Sequence, residues 1–364
     1  MTTATTAMPL RAGPYVLMRR ISAGGMGELF LARRADAGFA KLFVVKMTPL
    51  GRPGLVRLML NEARVVANLN HPNIVQVFDA GRTDAGAWLA MEYLHGEDLG
   101  ALFLAANRAG RPLPIAVTLT IVVDVLAALE HAHTCVRRNR PTPGLVHRDI
   151  SPRNVVVLFS GHTKLIDFGI AKESLETVSE LTAAGRPKGK AAYMSPEQVA
   201  CVPLDPRSDL FSTGVVLWEL LAGRRLFARA NERESLAAVA QAPITSASRL
   251  NPLVCARLDA VLARALARRR EDRYASALEM RRDLEPILVE HAPVGRSDVV
   301  AATMRTLFAQ RLADEDAAMR EVGAGSIEEL LLLDASAVGI PTQPAQATAP
   351  TESIATTPDG PPPG

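Results

Sequence analysis

The chain has 364 residues, 48 % hydrophobic and 22 % charged, with Lys+Arg 41 against Asp+Glu 38 and a formal net charge of +3. This is the balance of a globular protein long enough for two domains or two lobes, and it gives no ground for nucleic-acid binding or attraction to a charged membrane. Only six of the basic residues are lysine, at positions 41, 46, 164, 172, 188 and 190, so each raises the question of why arginine does not stand there.

Residues 1–12 are rich in Thr and Ala, lack the charged start and apolar core of a signal peptide, and are expected to form a flexible leader. From Tyr15 to about Glu92 the texture predicts strands: short apolar runs at Tyr15–Met18, Leu29–Ala32, Leu42–Met47, Ile74–Phe78 and Trp88–Met91, separated by Gly, Asp and Arg clusters. One helical pattern interrupts them, with Leu55, Leu58, Met59, Glu62, Val65, Val66 and Leu69 at helical spacing. Beyond Asp98 helices dominate: Pro114 to Thr134, Ser208 to Ala222 and Leu258 to Ala267. Within the first, Ala116 to Leu129 is the longest apolar stretch; it carries Asp124 and reads as too short to span a bilayer. Ser297 to Val322 reads as one further amphipathic helix, and Ser326 with Glu329 as a capping box before Leu330–Leu333. From Pro341 onward seven prolines and two charges predict disorder. The three cysteines (Cys135, Cys201, Cys255) are dispersed, which predicts a reducing, cytoplasmic setting without disulfides.

Three local patterns carry chemistry. Ile21-Ser-Ala-Gly-Gly-Met-Gly-Glu-Leu29 places glycines in a hairpin, where main-chain N–H groups can face phosphate; alone it is as well read as a plain turn. Phe43-Val-Val-Lys46 ends a strand with a lysine, and Glu62 on the following helix is its candidate partner, the alternative being a solvated helix face. Val146-His147-Arg148-Asp149-Ile-Ser-Pro-Arg-Asn154 is followed by Lys164-Leu-Ile-Asp167-Phe-Gly169, Tyr193-Met-Ser-Pro-Glu197, Ser208-Asp209-Leu-Phe-Ser-Thr-Gly214 and Asp272-Arg273-Tyr274.

In that order these motifs resemble the eukaryotic-like (Hanks-type) protein kinases, in particular bacterial Ser/Thr members, over about residues 14–290. The resemblance implies an α+β bilobal protein-kinase fold, with a β-rich N-lobe at 13–94 and a helical C-lobe at 95–290; the residue patterns beyond it are read as a helical extension at 291–336 and a disordered Pro/Thr/Ala-rich tail at 337–364. It implies transfer of the γ-phosphate of ATP to Ser/Thr hydroxyls of protein substrates, with Mg²⁺ (or Mn²⁺) as the metal. By resemblance Lys46 holds the α/β-phosphates and Glu62 fixes Lys46; Asp167 and Asn154 hold metal; Asp149 orients the hydroxyl and accepts its proton. Ser22, Gly24 and Gly27 lie in the phosphate loop. Glu92 and Leu94 offer hinge main chain to adenine, with Ile21, Leu29 and Val44 above the base and Val156 below it. Arg148 is the type that engages a phosphate in the activation segment, where Ser174, Thr177, Ser179 and Thr182 are candidates for autophosphorylation. Glu197 with Arg273, and Asp209, are implied to be structural.

The chain departs from the family pattern at three positions. Ser22 replaces the first glycine of the loop. Ser151 stands where Ser/Thr kinases carry lysine two residues past the catalytic Asp, and Lys190 stands where they carry threonine. A hydroxyl and an ammonium have changed places, so Lys190 is expected to supply the charge that Ser151 cannot; the alternative is a solvated charge of Lys188-Gly-Lys190. The departures keep open a pseudokinase or ATP-gated signalling scaffold. A small-molecule kinase is disfavoured by the full segment ending at Glu197. The extension is read either as a helix packed on the C-lobe or as an element that docks a regulatory partner or a second copy.

Overall fold

In the computed structural model, which describes residues 11–24, 27–35, 41–49, 53–83, 86–135, 144–168 and 190–324, period-2 alternation builds the N-terminal lobe. Strands β1 (Arg11–Ala12), β2 (Tyr15–Gly24), β3 (Gly27–Arg34), β4 (Leu42–Pro49), β5 (Val77–Thr83) and β6 (Gly86–Glu92) form one antiparallel sheet in the order β1-β2-β3-β4-β6-β5. On one face Tyr15, Phe43 and Trp88 meet edge to face, with ring centroids 5.2 and 5.5 Å apart, over Val45 and Ala90. The other face carries the cross-strand row Leu29, Lys46 and Leu89. Against it lies helix α1 (Pro53–Val66), where the period holds but the buried face is turned from the expected one: Val56, Met59, Ala63 and Val66 are buried, while Leu55, Leu58 and Val65 are only half-buried. Gly27 is needed where the loop hairpin closes: its φ is +131°, and a Cβ would lie 2.2 Å from the Met47 carbonyl oxygen.

The leader ends earlier than expected, because Arg11 and Ala12 pair with Val16 and Tyr15 as an edge strand. The fifth strand also shifts: Ile74 makes only an isolated bridge to Leu165, and the strand runs from Val77 through the polar residues Asp79–Thr83. An edge strand tolerates polar residues on both faces, so the apolar pattern marked only its start.

A small sheet, β7 (Gly96–Asp98), β8 (Val155–Leu158) and β9 (Thr163–Leu165), opens the helical lobe. Helices α2 (Leu99–Arg108), α3 (Ile115–Thr134), α4 (Pro196–Val199), α5 (Arg207–Ala222), α6 (Glu232–Gln241), α7 (Ala256–Ala265) and α8 (Ala277–His291) pack around it. Helix α3 fills the expected segment Pro114 to Thr134, but the reading that its apolar stretch is too short to span a bilayer does not hold for the helix as a whole. At 20 residues it is long and apolar enough to cross a membrane, and 78 % of its apolar window is buried by the rest of the lobe. A helix buried on all sides lacks a polar face, which is why α3 reads as a nearly continuous apolar run; α5 is equally buried but carries Asp209 and Glu219 inward.

The extension is two helices, not one: α9 (Arg296–Leu307) and α10 (Ala309–Ala324), broken at Phe308, whose φ of −123° leaves the helical region. Neither Gly nor Pro stands at the break. The capping box at Ser326, the segment 169–189 with its candidate hydroxyls, Gly169, and the Pro-rich tail lie outside the described residues.

Candidate active site

The cleft between the lobes is built by main-chain geometry that only tertiary contacts can hold. Arg148 and Asp167 both adopt left-handed φ, +66° and +52°, a conformation unfavourable for residues with a Cβ. Asp209 in α5 holds the first: its Oδ1 accepts the Arg148 N–H at 2.8 Å and its Oδ2 the His147 N–H at 2.7 Å. His133 Nε2 lies 2.8 Å from the same Oδ2. Burial works against ionising Asp209, yet His133 and these N–H groups outweigh it and hold the carboxyl below its usual range. His147 links the two loops. Its Nδ1 accepts the Asp149 N–H at 3.2 Å, so its Nε2 carries the proton and donates to the Ile166 carbonyl at 3.1 Å. Phe168 packs on its ring at 4.5 Å between centroids.

Asp149 is gripped by two donors. Asn154 Nδ2 donates to its main-chain oxygen at 2.8 Å and to Oδ2 at 3.0 Å, and Lys190 Nζ donates to Oδ2 at 2.5 Å. The Asn154 amide nitrogen is thereby committed and its carbonyl oxygen is the acceptor left. Ser151 Oγ is buried and has no hydrogen-bond partner among the described residues. Ser151, Lys190 and Ser22 (the three departures from the family pattern) line one cavity of about 630 Å³ with Arg153, Tyr193 and Arg225. Tyr193 and Arg225 both donate to Glu219 Oε2 at 2.7 Å, which makes that wall rigid. Below it the expected Glu197–Arg273 pair forms, with Nη1 to Oε1 at 2.7 Å and Nη2 to Oε2 at 2.9 Å.

Lys46 projects from β4, and its Nζ lies 3.3 Å from Asp167 Oδ1. Position 62 falls in α1; its side chain lies outside the described residues. Leu29 and Val44 share the sheet face of Lys46, Ile21 is an exposed residue at a bulge of β2, and Val156 is buried on β8, across the register from Lys164 and Asp98. Gly24 pairs with Gly27 where the hairpin closes. Between the lobes, Glu92 Oε1 accepts Lys164 Nζ at 2.6 Å and the Gln76 N–H at 2.7 Å. The Glu92 N–H in turn donates to the Gln76 carbonyl at 2.9 Å. The Lys164–Glu92 pair was not foreseen; the scarcity of lysine singled out Lys164 but named no partner.

The donor set suits a nucleotide and a hard cation. Asp167 is half-exposed and, with Asn154, offers oxygen ligands. Among the described residues no group of three His, Cys, Asp or Glu side chains forms a metal cage. A divalent ion held here would complete its shell from phosphate oxygens and water.

The description "Protein kinase domain" belongs to the family model that matches residues 15–282. The chain is 39 % identical over 283 residues to Tyrosine-protein kinase MasK of Myxococcus xanthus, covering 77 % of this chain and 44 % of that protein. It is 36 % identical over 290 residues to Serine/threonine-protein kinase Pkn1 of the same species, with 78 % and 40 % covered. It thus spans about two-fifths of the length of these relatives. The kinase domain of Mycobacterium tuberculosis PknI is similar in structure, with a TM-score of 0.56, 29 % identity, and coverage of 80 % of this chain and 100 % of that one.

Proposed function

This chain belongs to the protein kinase domain family, and from that premise we propose that it transfers the γ-phosphate of ATP to serine or threonine hydroxyls of protein substrates. The observation that carries the reading is Asp149, a carboxylate fixed by Asn154 and Lys190 beside a cavity able to admit a side chain.

In this reading Lys46 positions the α/β-phosphates and Glu62 steadies it. Asp167 and Asn154 hold Mg²⁺, which neutralises charge on the phosphates when bound. The main chain of Glu92 and Leu94 meets adenine, and Ile21, Leu29, Val44 and Val156 enclose it. Ser22, Gly24 and Gly27 cover the phosphates. Asp149 orients the acceptor hydroxyl and takes its proton through the carboxylate. Lys190, within hydrogen-bond distance of that carboxylate, supplies the positive charge at the transferring phosphoryl group, and the small Ser151 leaves it room.

The test is phosphate transfer from radiolabelled ATP by the purified chain, with Lys46→Met and Asp149→Asn as controls. The expected result is label on protein in the wild type, absent in both variants, with phosphoserine and phosphothreonine after acid hydrolysis. Phosphotyrosine alone would overturn the assignment of the acceptor, a specific concern because one relative is named a tyrosine kinase. ATP binding without transfer would replace the reading with an ATP-gated scaffold. Peptide mapping of residues 167–197 assigns autophosphorylation among Ser174, Thr177, Ser179 and Thr182.

A further inference from the structure

The two extension helices grip the large lobe at separate places. Helix α9 is part of the core: Val300, Ala301 and Met304 are buried, and Arg296 Nη2 stands 3.7 Å from Asp124 of α3. Helix α10 then crosses the connection between the lobes. Arg311 Nε lies 2.7 Å from Glu97 Oε1, and Glu315 Oε2 lies 3.3 Å from His95 Nε2, with Asp316 Oδ1 at 3.8 Å from the same nitrogen. His95 and Glu97 belong to the segment that leaves the hinge. The His95 carbonyl accepts the Phe159 N–H at 3.0 Å, its ring packs on Phe159 at 5.0 Å, and Glu97 pairs in register with Val157, next to Val156.

We propose that α10 is an intramolecular strap that positions the hinge segment 93–98 and so sets the affinity for nucleotide, with Arg311 as the principal positioning residue and Glu315 as its second anchor. Charge complementarity carries the argument. Glu97 is only 14 % exposed, and a carboxylate at that depth needs a cation. Asp98 and Glu315 press on it with like charge, and Arg311 opposes them. Arg311 is itself 60 % exposed, so its side chain is not part of a packed core; its Nε stands 2.7 Å from Glu97 and 3.7 Å from Glu315 Oε1 one turn on, the Glu97 contact being the shorter. The His95 contact is longer, 3.3 Å against 2.7 Å, which leaves Arg311–Glu97 as the tighter of the two anchors. Since β7 and β8 are hydrogen-bonded, a shift of Glu97 is passed to Val156 on the floor of the cleft.

The strap can be tested apart from the kinase reading on which its nucleotide readout rests. Arg311→Glu, Glu97→Arg and the double exchange are compared in the full chain by fluorescent ADP binding, by kcat and KM for ATP, and by amide hydrogen exchange in residues 93–98. The expected result is a roughly fivefold weaker Kd and raised KM for each single variant, kcat changed less than about twofold, faster exchange in 93–98, and recovery in the double. Arg311→Gln, which adds no repulsion, should move the same way by less and serves if a reversed charge impairs folding. Unchanged exchange and unchanged Kd in Arg311→Glu and Arg311→Gln would overturn the strap. Wild-type protein that binds no nucleotide would overturn the kinase reading, while exchange in 93–98 would still decide the strap.

Discussion

Lys190 and Ser151 are the departures most open to test at the scale of single residues. Asp149 Oδ2 receives Lys190 Nζ at 2.5 Å and Asn154 Nδ2 at 3.0 Å, while the buried Ser151 hydroxyl has no partner among the described residues. If Lys190 is the cation of the transfer step, Lys190→Thr lowers kcat by about 100-fold, near the 3 kcal/mol that one preorganised electrostatic contact is worth. Adding Ser151→Lys returns most of it, because the charge regains a route to the same oxygen. Single-turnover rates of the three variants check this; an intact rate in Lys190→Thr would assign Lys190 a surface role. Lys164 is a second case. It and Glu92 are both largely buried and 2.6 Å apart, so Lys164→Met leaves the carboxylate desolvated. The expected outcome is about 2 kcal/mol less stability by denaturant titration, with KM for ATP raised through the hinge. Asp149, Asn154 and Asp167 were legible because their chemistry is written in short contiguous motifs. The meeting of Lys190 with Asp149, 41 positions away, was legible only through the family resemblance, and the Lys164–Glu92 pair, 72 positions apart, was not, since sequence spacing says nothing about such distances.

Elements were legible to the extent that one face of each is wet. Helix α1 and strand β4 show the periodicity of half-buried elements, β3 is a short apolar run, and all three fall along the chain where those patterns predict. The polar edge strand β5 and the break between α9 and α10 left no such mark. A contact hidden in a turn decides how α9 sits: Gly161, with φ +87°, faces the Ser297 carbonyl so closely that a Cβ would lie 1.9 Å from its oxygen. Gly161→Ala therefore strains the turn and pushes α9 from the lobe. The expected loss is about 2 kcal/mol, seen as a fall in Tm of roughly 5 °C. Because α10 follows α9 directly, hydrogen exchange in 93–98 should rise in the same variant. A Tm equal to wild type would mean that α9 contributes nothing to the lobe.

The whole molecule depends on two buried carboxylates that stay ionised. Asp209 braces the catalytic loop against its left-handed Arg148, and Glu197 is closed in by Arg273 and by Ser208, whose Oγ donates to it at 2.7 Å. For both, burial opposes ionisation, but hydrogen bonds and neighbouring cations win, and the folded pKa lies below the usual value near 4. A depressed carboxyl contributes stability above the unfolded pKa, and that contribution is lost as pH falls through the unfolded value towards the folded one. Asp124 and Glu97 have the opposite sign. Burial raises both, with Arg296 and Arg311 as partial offsets, so they take up protons first as pH falls and their desolvation cost then declines. The molecule should hold its Tm down to about pH 5 and lose it steeply below about pH 4. In Glu197→Gln the acid limb becomes shallower, because one titrating group is gone. The neutral-pH stability drops by about 3 kcal/mol, because Arg273, fully buried, loses its counter-charge. Calorimetric scans from pH 3 to 7 on both proteins separate the two effects: an acid limb of unchanged slope in the variant would show that Glu197 is not among the groups whose protonation unfolds the large lobe.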